Sequence, residues 1–454
     1  MESYNKEPQD QAIASPTAST RTWSNLDVRR HAIACAIFGV GILYYCFAYL
    51  LRVYPSVMEP QLLAHFNLTA GSFGTLTSFY YFAYAPMQLP VGVTVDKVGP
   101  RRALMIAGAI ALTGVWLFAN CDTVALAYLG RFMVGFGAAF AYVTALKLAT
   151  MWLPKRLFAT ATGMLTGGGM LAAIFTYNYL TESVQLHGLH HALFFPLMIG
   201  ANILTLIVLI VRDKPKHKTV STDTQSNDDE SNAVSFRQLG HFLLQIIKCP
   251  QMWLIGVVGA LLYLPSSVFL DVWAAPFFEH VYKLTPAQAA HGVSLVLFGW
   301  IASSFLTGML SDWIGRRKPI LIVAAFGAMA VASVIIFDTH LSTVWLYALL
   351  FVLGICCGPH PLCFTLGKEN QPQHISGTAI AFTNFVVMMG GFIFQPSVGY
   401  CLDFLWSGGL QQGIRIYTTH HYVIALSIMP IGLLLAGLLA LKIREPGKPE
   451  CQNT

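Results

Sequence analysis

The sequence predicts an all-α membrane protein of twelve transmembrane helices, arranged as two pseudo-symmetric six-helix halves. Of its 454 residues, 55% are hydrophobic and 11% are charged, whereas soluble domains carry roughly 25% charged residues. About a dozen apolar runs approach the ~20 residues that a helix needs to cross the hydrocarbon core. Runs this long and continuous indicate helices, because a membrane strand would alternate apolar and polar residues.

Six apolar runs lie in each half of the chain. Those of the first half are Ala34–Pro55, Gly74–Val95, Ala103–Asn120, Val124–Leu148, Ala159–Leu180 and Ala192–Val211. Those of the second half are Met252–Ala275, Gly292–Leu310, Pro319–Phe337, Val344–Leu366, Ile375–Leu402 and Tyr422–Leu441. The predicted bundles are therefore residues 31–212 and 246–443, with a cytoplasmic linker at 213–245 and cytoplasmic tails at 1–30, which is polar and predicted to be disordered, and 444–454.

An eleven-residue pattern occurs once in each half. It reads GVTVDKVGPRR from Gly92 and GMLSDWIGRRK from Gly308, an offset of 308 − 92 = 216 residues that is close to half the chain. In each copy, a glycine expected to let helix ends pack closely precedes an acid, a turn glycine and basic residues. The repeat predicts two structurally similar halves.

Twelve spans place both chain termini on the same side of the membrane, and the basic residues concentrate in the segments on that side. Most of the 27 Lys and Arg residues fall there, which predicts that this side and both termini are cytoplasmic. The net charge of +6 is therefore expected to contact the cytoplasmic lipid leaflet, and it gives no indication of nucleic-acid binding.

The first predicted helix carries Tyr45, Tyr49 and Arg52 on one face, at i, i+4 and i+7. An arginine inside a span is costly and usually faces a water-filled cavity or a partner. We therefore expect these three side chains to line a central cavity. An alternative stays open, in which Arg52 lies near the outer end and extends to the headgroups.

Further polar side chains in the predicted spans are candidates for the same cavity. They are Tyr80 and Tyr84 in the second helix, Arg131 and Tyr142 on one face of the fourth, and Asn384 in the eleventh. The structural alternatives are packing between helices for Tyr80 and Tyr84 and a hydrogen bond to helix carbonyls for Arg131.

No Asp or Glu lies near the middle of a predicted span. The candidates for binding a proton are therefore an acid nearer a span end, Asp271, and a histidine inside a span, His360. Asp271 of the seventh helix is an exposed acid at a helix end, a partner for Arg52 or a proton carrier. His360 of the tenth helix is either a packed, hydrogen-bonded residue or a titrating one.

Several function classes are not supported by any motif. The nine cysteines are scattered without the spacing of a metal site. No Walker phosphate loop and no catalytic constellation occurs. The sequence therefore predicts no enzyme, no metal, no cofactor and no direct use of ATP.

The repeated pattern resembles the loop between the second and third helices of the major facilitator superfamily, and RFMVGFGAA from Arg131 resembles that family's fourth-helix motif. The resemblance covers about residues 31–443. It implies a secondary active transporter that works by alternating access, in which Arg131 takes part in proton coupling or anion binding. It also implies gating roles at the cytoplasmic side for Gly92, Asp96, Arg101, Arg102, Asp312 and Arg317.

Narrower resemblances concern the solute. Tyr49 and Arg52 stand where anion:cation symporters and organophosphate antiporters carry a tyrosine and a substrate-binding arginine, but the second arginine of the antiporters is replaced by Ser267. RVYPSVM, YYFAYAPMQLPVG and GTAIAFTNF are similar to a group of bacterial nutrient importers that includes phagosomal amino-acid transporters and a siderophore importer.

These resemblances imply that a monomer in the bacterial inner membrane takes up a small organic solute with protons. A carboxylate-bearing solute, such as an amino acid, a short peptide or an organic acid, is the first expectation. Transport of a siderophore or another metabolite in either direction, and a transporter-like solute sensor, remain the alternatives.

Overall fold

The computed structural model describes residues 25–154, 157–213, 235–411 and 413–445. In these residues the chain forms a helical bundle that passes back and forth twelve times, as predicted. Ten helical segments of the described residues are long and apolar enough to cross a membrane. One of them comprises two spans joined at Gly188, and the remaining span, at 70–98, is less apolar because it is rich in glycine, serine, threonine and tyrosine.

The spans are numbered in chain order. Spans 1 to 6 are Asn25–Val57, then Ala70–Met87 with Val91–Val98, Pro100–Asn120, Val124–Ala138 with Phe140–Trp152, and the two parts of Phe158–Ile210. Spans 7 to 9 are Pro250–Leu262 with Pro265–Trp273 and Ala274–His280, then Pro286–Ile314 and Lys318–Phe337. Spans 10 to 12 are Thr343–Cys357 with Leu362–Glu369, then Ser376–Leu405 after a short 3₁₀ turn at Gln373–Ile375, and Thr419–Leu426 with Ile428–Ala440.

The connections contain two further helices, Glu59–Phe66 and Phe236–Ile247, and an antiparallel hairpin of Leu410–Gln411 with Ile414–Arg415. We call the end of the bundle that holds this hairpin the hairpin face. The opposite end, with the repeated loops near Arg101 and Arg317, is the basic face.

Two predicted boundaries differ from the structure. Span 1 begins at Asn25, so the predicted tail of residues 1–30 is too long by six residues. The predicted linker at 213–245 contains the helix Phe236–Ile247, which Ser235 and Gln238 start with a capping box. The rest of the tail and linker predictions concern residues 1–24, 214–234 and 446–454, which lie outside the described residues.

Local signals in the sequence explain where several spans begin. Thr285 with Gln288, and Thr418 with His421, form capping boxes that satisfy the first amides of spans 8 and 12. Span 3 begins at Pro100, which lacks the N–H that a first helical turn leaves unpaired. These short polar or proline-containing sequences thus end each loop and start the next apolar helix.

The two halves repeat the same close helix contact. A Cβ added to Gly135 of span 4 would lie 2.1 Å from the carbonyl oxygen of Tyr80 in span 2. A Cβ added to Gly354 of span 10 would lie 2.0 Å from the carbonyl oxygen of Val296 in span 8. Only glycine permits such an approach, and its recurrence confirms that the halves are structurally similar.

The two halves are in contact at the hairpin face. Span 2 packs along span 11, and span 5 packs against span 8. The backbone N–H of Gly71, at the start of span 2, donates to Oδ2 of Asp403 near the end of span 11 at 2.8 Å. The structure is therefore closed at the hairpin face.

Candidate functional site

Arg52 of span 1 lies in the interior and pairs with Asp271 of span 7, across the interface of the two halves. Nε of Arg52 is 2.7 Å from Oδ2 of Asp271, and the two side chains are 6% and 7% exposed. Nη2 of Arg52 donates to the hydroxyl of Tyr263 at 2.8 Å and to the hydroxyl of Tyr81. The hydroxyl of Tyr81 in turn donates to Asp271 at 2.5 Å. The structure thus gives Arg52 interior partners rather than a place among the headgroups.

The local form of span 7 presents Asp271 to this site. Residues Pro265–Trp273 form a π-helix, a wide and uncommon turn that is frequently found at functional sites. Arg52 and Asp271 are 219 residues apart, close to the offset of the sequence repeat. They therefore meet because they occupy similar depths on the corresponding spans of the two halves.

Aromatic rings surround the guanidinium of Arg52. Its Cζ lies 5.6 Å, 5.0 Å and 5.4 Å from the ring centres of Tyr49, Tyr81 and Tyr263, within the range of cation–π attraction. Nη1 of Arg52 has no hydrogen-bond partner among the described residues. The charge is thus held by one carboxylate, two hydroxyls and three rings, and the two N–H donors of Nη1 remain available.

Three of the predicted cavity tyrosines form one cluster on the basic-face side of Arg52. The ring of Tyr45 lies 5.1 Å from that of Tyr49 and 5.3 Å from that of Tyr142. Gly169 of span 5 makes room for them, since an added Cβ would lie 2.8 Å from both Tyr45 and Tyr49. The sequence predicted that Tyr45, Tyr49 and Tyr142 lie close together, and in the structure they do.

Tyr80, Tyr84 and Arg131 lie beside this cluster, and Tyr80 contacts both of the others. The ring of Tyr80 is stacked on that of Tyr84 at 5.5 Å, and the guanidinium of Arg131 lies 5.3 Å from the centre of the Tyr80 ring. Arg131 is 1% exposed and donates to the carbonyl oxygen of Leu51 at 2.6 Å. Arg131 thus bonds a helix carbonyl, as expected if its role is structural.

Neither Asn384 nor His360 forms a hydrogen bond with the Arg52 guanidinium. Nδ2 of Asn384 donates to Oε1 of Gln88 at 2.9 Å, which joins span 11 to span 2. His360 is stacked on Tyr263 at 4.6 Å, and its Nε2 is buried without a partner among the described residues. His360 therefore contacts the site through the ring of Tyr263.

Sequence reasoning missed Tyr81, Tyr263 and Gln88. Tyr81 stands in an aromatic run of span 2, where helical spacing alone gave no reason to prefer it to its neighbours. Tyr263 lies two residues before the π-helix of span 7, and no sequence pattern indicated that its hydroxyl would meet Arg52. The only available signal was the cost of a buried arginine, which requires several partners.

The profile of the Major Facilitator Superfamily matches residues 25–395. The chain belongs to the major facilitator superfamily. It is a membrane transporter of small organic solutes, and its superfamily consists of transporters rather than enzymes.

Characterised and uncharacterised transporters of this superfamily are similar to the chain. The uncharacterized transporter YybO of Bacillus subtilis is 24% identical over 82% of this chain and 88% of its own length. The probable sulfoacetate transporter SauU of Cupriavidus necator is 25% identical over 62% of this chain and 65% of its own length. The probable galactarate/D-glucarate transporter GudP of Escherichia coli is 22% identical over 82% and 86% of the two chains.

Solved structures share the fold of this transporter. A bacterial homologue of the human lysosomal transporter Spinster has a TM-score of 0.70 and 16% identity, and covers 92% of this chain and 99% of its own. A D-xylose-proton symporter has a TM-score of 0.66 and 15% identity over 91% and 99% of the two chains. At these identities the similarity concerns the fold.

The repeated loops of this transporter contain ion pairs within each half. In the first copy Asp96 pairs with Lys147 of span 4 at 2.8 Å, and both side chains are exposed. In the second copy Asp312 pairs with Arg317 at 2.9 Å. Among the described residues of the basic face, no ion pair joins the two halves, so a latch between halves at this face stays a prediction.

An acid that follows the last span of each half holds the same loop. Asp213 accepts from the backbone N–H of Arg101 at 2.7 Å, at the start of span 3. Glu445 accepts from the backbone N–H groups of Arg317 and Lys318 at 2.8 Å each, at the start of span 9. A carboxylate at a helix N-terminus is stabilised by the unpaired amides, so each half fixes its repeated loop in the same way.

The glycines of the repeated loops have different roles from one another. Gly99 and Gly315 have φ of +88° and +68°, which confirms that they are turn glycines. The prediction that Gly92 and Gly308 allow close helix packing is wrong for this conformation, because an added Cβ would meet no atom within 4 Å. The helix ends of the basic face do not approach one another at these positions.

Arg102 is the one predicted gating residue not yet described, and its side chain is exposed.

At the hairpin face, Asp403 joins three segments. Besides the Gly71 amide, its Oδ1 accepts from the hydroxyl of Tyr417 at 2.6 Å and from Nη1 of Arg415 at 3.1 Å. The hydroxyl of Tyr417 also accepts from the backbone N–H of Ala70 at 3.2 Å. The hairpin thus holds Asp403 against the first amides of span 2 and links the halves.

A second acid is buried between the spans at this face. Glu59, in the short helix after span 1, is 5% exposed. Burial, and then the neighbouring carboxylate of Glu279, raise the pKa of Glu59 to about 8. Burial thus favours the protonated form of Glu59 in this closed arrangement.

We expect Asp403→Asn to loosen the hairpin face, because the charge-assisted bonds to span 2 and Arg415 are lost. Such bonds contribute ~1.5–3 kcal/mol, so labelling of Ser56→Cys by a maleimide in purified protein should become about tenfold faster or more. Ser56 is suited to this measurement because it is 2% exposed in the closed structure.

Asp338→Asn is the matched control. Asp338 lies at the same face, and its carboxylate bonds only the nearby backbone N–H of His340 among the described residues. Labelling should stay at the parent rate in this variant. Equal labelling of Asp403→Asn and parent protein would show that Asp403 does not hold the face closed.

Proposed function

We propose that this transporter imports a small carboxylate-bearing solute, such as an amino acid, a short peptide or an organic acid, together with protons. The observation that carries the proposal is the buried pair of Arg52 and Asp271 at the interface of the halves. A guanidinium binds carboxylates through parallel N–H groups. Asp271 occupies part of that fork, and a solute carboxylate has the same chemistry.

The exchange of one carboxylate for another supplies the coupling. When a solute carboxylate takes the place of Asp271 at Arg52, Asp271 is left as a buried carboxylate without its cation, which is unfavourable. Uptake of a proton removes this charge. Solute and proton therefore bind together, and His360, with its unpartnered Nε2, is the second candidate for the proton.

The cluster around Arg52 is suited to the body of such a solute. Tyr45, Tyr49 and Tyr142 offer rings and hydroxyls on the basic-face side, and Tyr84 lies on the neighbouring span. The names of two relatives support the solute class, because sulfoacetate and D-glucarate both carry carboxylates.

Alternating access completes the mechanism. Contacts of span 2 with span 11, and of Asp403 with Gly71, close the hairpin face, and release of these contacts would expose Arg52 to that side. In the outward arrangement, the repeated loops around Asp96 and Asp312 would meet the opposite half and close the basic face. The family resemblance supports these gating roles.

The orientation has its own test. We propose a bacterial inner-membrane protein with both termini and the basic face in the cytoplasm, because most Lys and Arg residues lie on that side. A reporter inserted after Asn227 should be cytoplasmic, and one after Gly188 should be external. The reverse at both sites would invert the direction assigned to every step above.

The function is tested with purified protein in liposomes that carry an imposed pH gradient, alkaline inside. The labelled probes are sulfoacetate, oxalate, D-glucarate, a mixture of amino acids, and D-xylose as a solute without a carboxylate. We expect accumulation of at least one carboxylate, abolished by a protonophore. Accumulation of D-xylose, but of none of the carboxylates, would overturn the proposal.

A further inference from the structure

Span 1 contains a proline close to Arg52. Pro55 lies inside the continuous helix Asn25–Val57. In an α-helix, the carbonyl of Leu51 accepts from the N–H of residue 55, and proline has no N–H. The carbonyl of Leu51, directly before Arg52, is therefore left without its helical donor, in a buried place where water cannot replace it.

Arg131 of span 4 supplies the missing donor. Its Nη1 lies 2.6 Å from the carbonyl oxygen of Leu51, and its Nη2 lies 3.4 Å from the carbonyl oxygen of Arg52. The rings of Tyr54 and Tyr80 lie 5.5 Å and 5.3 Å from its Cζ. Two carbonyls and two rings thus hold this cation, in the absence of any carboxylate partner among the described residues.

We propose that Arg131 is a positioning residue, which replaces the donor that Pro55 removes and thereby fixes the turn of span 1 from which Arg52 reaches Asp271. The consequence for transport rests on the proposed function of Arg52. Arg131 itself does not touch the solute: it is 1% exposed, and aromatic rings lie beside its guanidinium.

The energetic argument favours this role over binding of an anion. Nε of Arg131 is buried without a partner among the described residues, so the residue is costly to keep. Loss of Arg131 would leave something worse, which is an unpaired buried carbonyl inside the span that carries Arg52. Two bonds to one helix turn also fix the rotation of that turn.

The test restores the donor in another way. Arg131→Met removes the two hydrogen bonds and keeps an apolar side chain of useful length. Pro55→Ala returns a backbone N–H to residue 55, so the carbonyl of Leu51 regains its helical partner without Arg131. Pro196→Ala is the matched control, because Pro196 also lies inside a helix of the first half but is far from residue 51 in sequence.

The first readout needs no solute. The pairing of Arg52 with Asp271 is measured in purified protein as the coupling between Arg52→Gln and Asp271→Asn in melting temperature. We expect strong coupling in the parent, loss of most of it in Arg131→Met, and its return in Pro55→Ala/Arg131→Met. Pro196→Ala/Arg131→Met should behave like Arg131→Met.

Three outcomes would overturn the proposal. They are unchanged coupling in Arg131→Met, coupling that is lost but does not return with Pro55→Ala, and equal rescue by Pro196→Ala. If Arg131→Met is too unstable to purify, we expect Pro55→Ala/Arg131→Met to yield a folded protein and Pro196→Ala/Arg131→Met to yield none. Failure of Pro55→Ala to restore a folded protein contradicts the proposal.

The second readout is transport of the carboxylate that accumulates in liposomes. Uptake should fall in Arg131→Met by about tenfold or more, as loss of a charge-assisted hydrogen bond implies, and recover in Pro55→Ala/Arg131→Met. If the coupling responds as expected but Arg52→Gln transports normally, the proposed function fails while the positioning role stands. If Arg52→Gln is inactive but the coupling is unchanged in Arg131→Met, the positioning role fails while the proposed function stands.

Discussion

Arg52→Gln should reduce uptake of the carboxylate solute to the background of empty liposomes. The variant keeps an amide N–H near the position of Nε but loses the charge and the fork, and removal of one partner of a buried charged pair costs ~2–5 kcal/mol. A loss of about 3 kcal/mol corresponds to roughly two orders of magnitude in affinity. Initial uptake and equilibrium binding of the labelled solute measure the effect.

Arg52→Lys should give an intermediate result. Lysine keeps the positive charge as a point donor but cannot make two parallel bonds to one carboxylate, so we expect affinity to fall by about tenfold. The structure adds a second cost, since Arg52 bonds Asp271 from Nε and the two tyrosine hydroxyls from Nη2, whereas lysine has a single nitrogen for all three partners.

The double variant Arg52→Gln/Asp271→Asn controls for folding. Arg52→Gln alone leaves Asp271 as an unpaired buried charge, whereas the double variant leaves neither charge alone. It should express and melt closer to the parent than Arg52→Gln does, and it should still fail to bind the solute. Transport at the parent rate by Arg52→Gln would show that Arg52 has only a structural role.

Asp271→Asn should separate transport from the proton gradient. Asparagine keeps the shape of the side chain and one acceptor oxygen, but it cannot take up a proton in this pH range. We expect exchange of labelled for unlabelled solute to persist, while accumulation driven by an imposed pH gradient is lost. Binding should also tighten, because the carboxylate that competes for Arg52 has been removed.

Two comparisons make this result specific. Asp338→Asn, an acid of the hairpin face that lies outside the Arg52 cluster, should keep gradient-driven accumulation. His360→Gln tests the second proton candidate, since glutamine can hydrogen-bond but does not titrate. Accumulation that survives in Asp271→Asn and is lost in His360→Gln would assign the proton to His360, and survival in both would exclude either residue as the coupling group.

The sequence by itself determined the architecture. Lipid requires every backbone group to be paired within its own helix, so long apolar runs predict spans without any knowledge of their neighbours. The repeat of Gly92–Arg102 at Gly308–Lys318 predicted the two halves, and the structure places both copies in corresponding loops. The starts of spans 8 and 12 follow from capping residues that are adjacent in sequence.

The sequence also indicated that Arg52 needs a partner. The cost of a charge inside a span is a local property, so Arg52 was a candidate whatever surrounded it. Helical spacing correctly placed Tyr45 and Tyr49 on its face. Among several options, however, the sequence left open whether Asp271 was that partner.

Only the tertiary structure decided which groups meet. Spacing along one helix gives the direction of a side chain relative to its own axis, but not which of eleven other spans it faces. The π-helix Pro265–Trp273 and the proline at position 55 also alter that direction within a span. Tyr81, Tyr263 and Asp271 converge on Arg52 from spans 2 and 7, and Arg131 reaches the Leu51 carbonyl from span 4, because contacts between distant segments depend on the packing of whole helices and not on any local pattern.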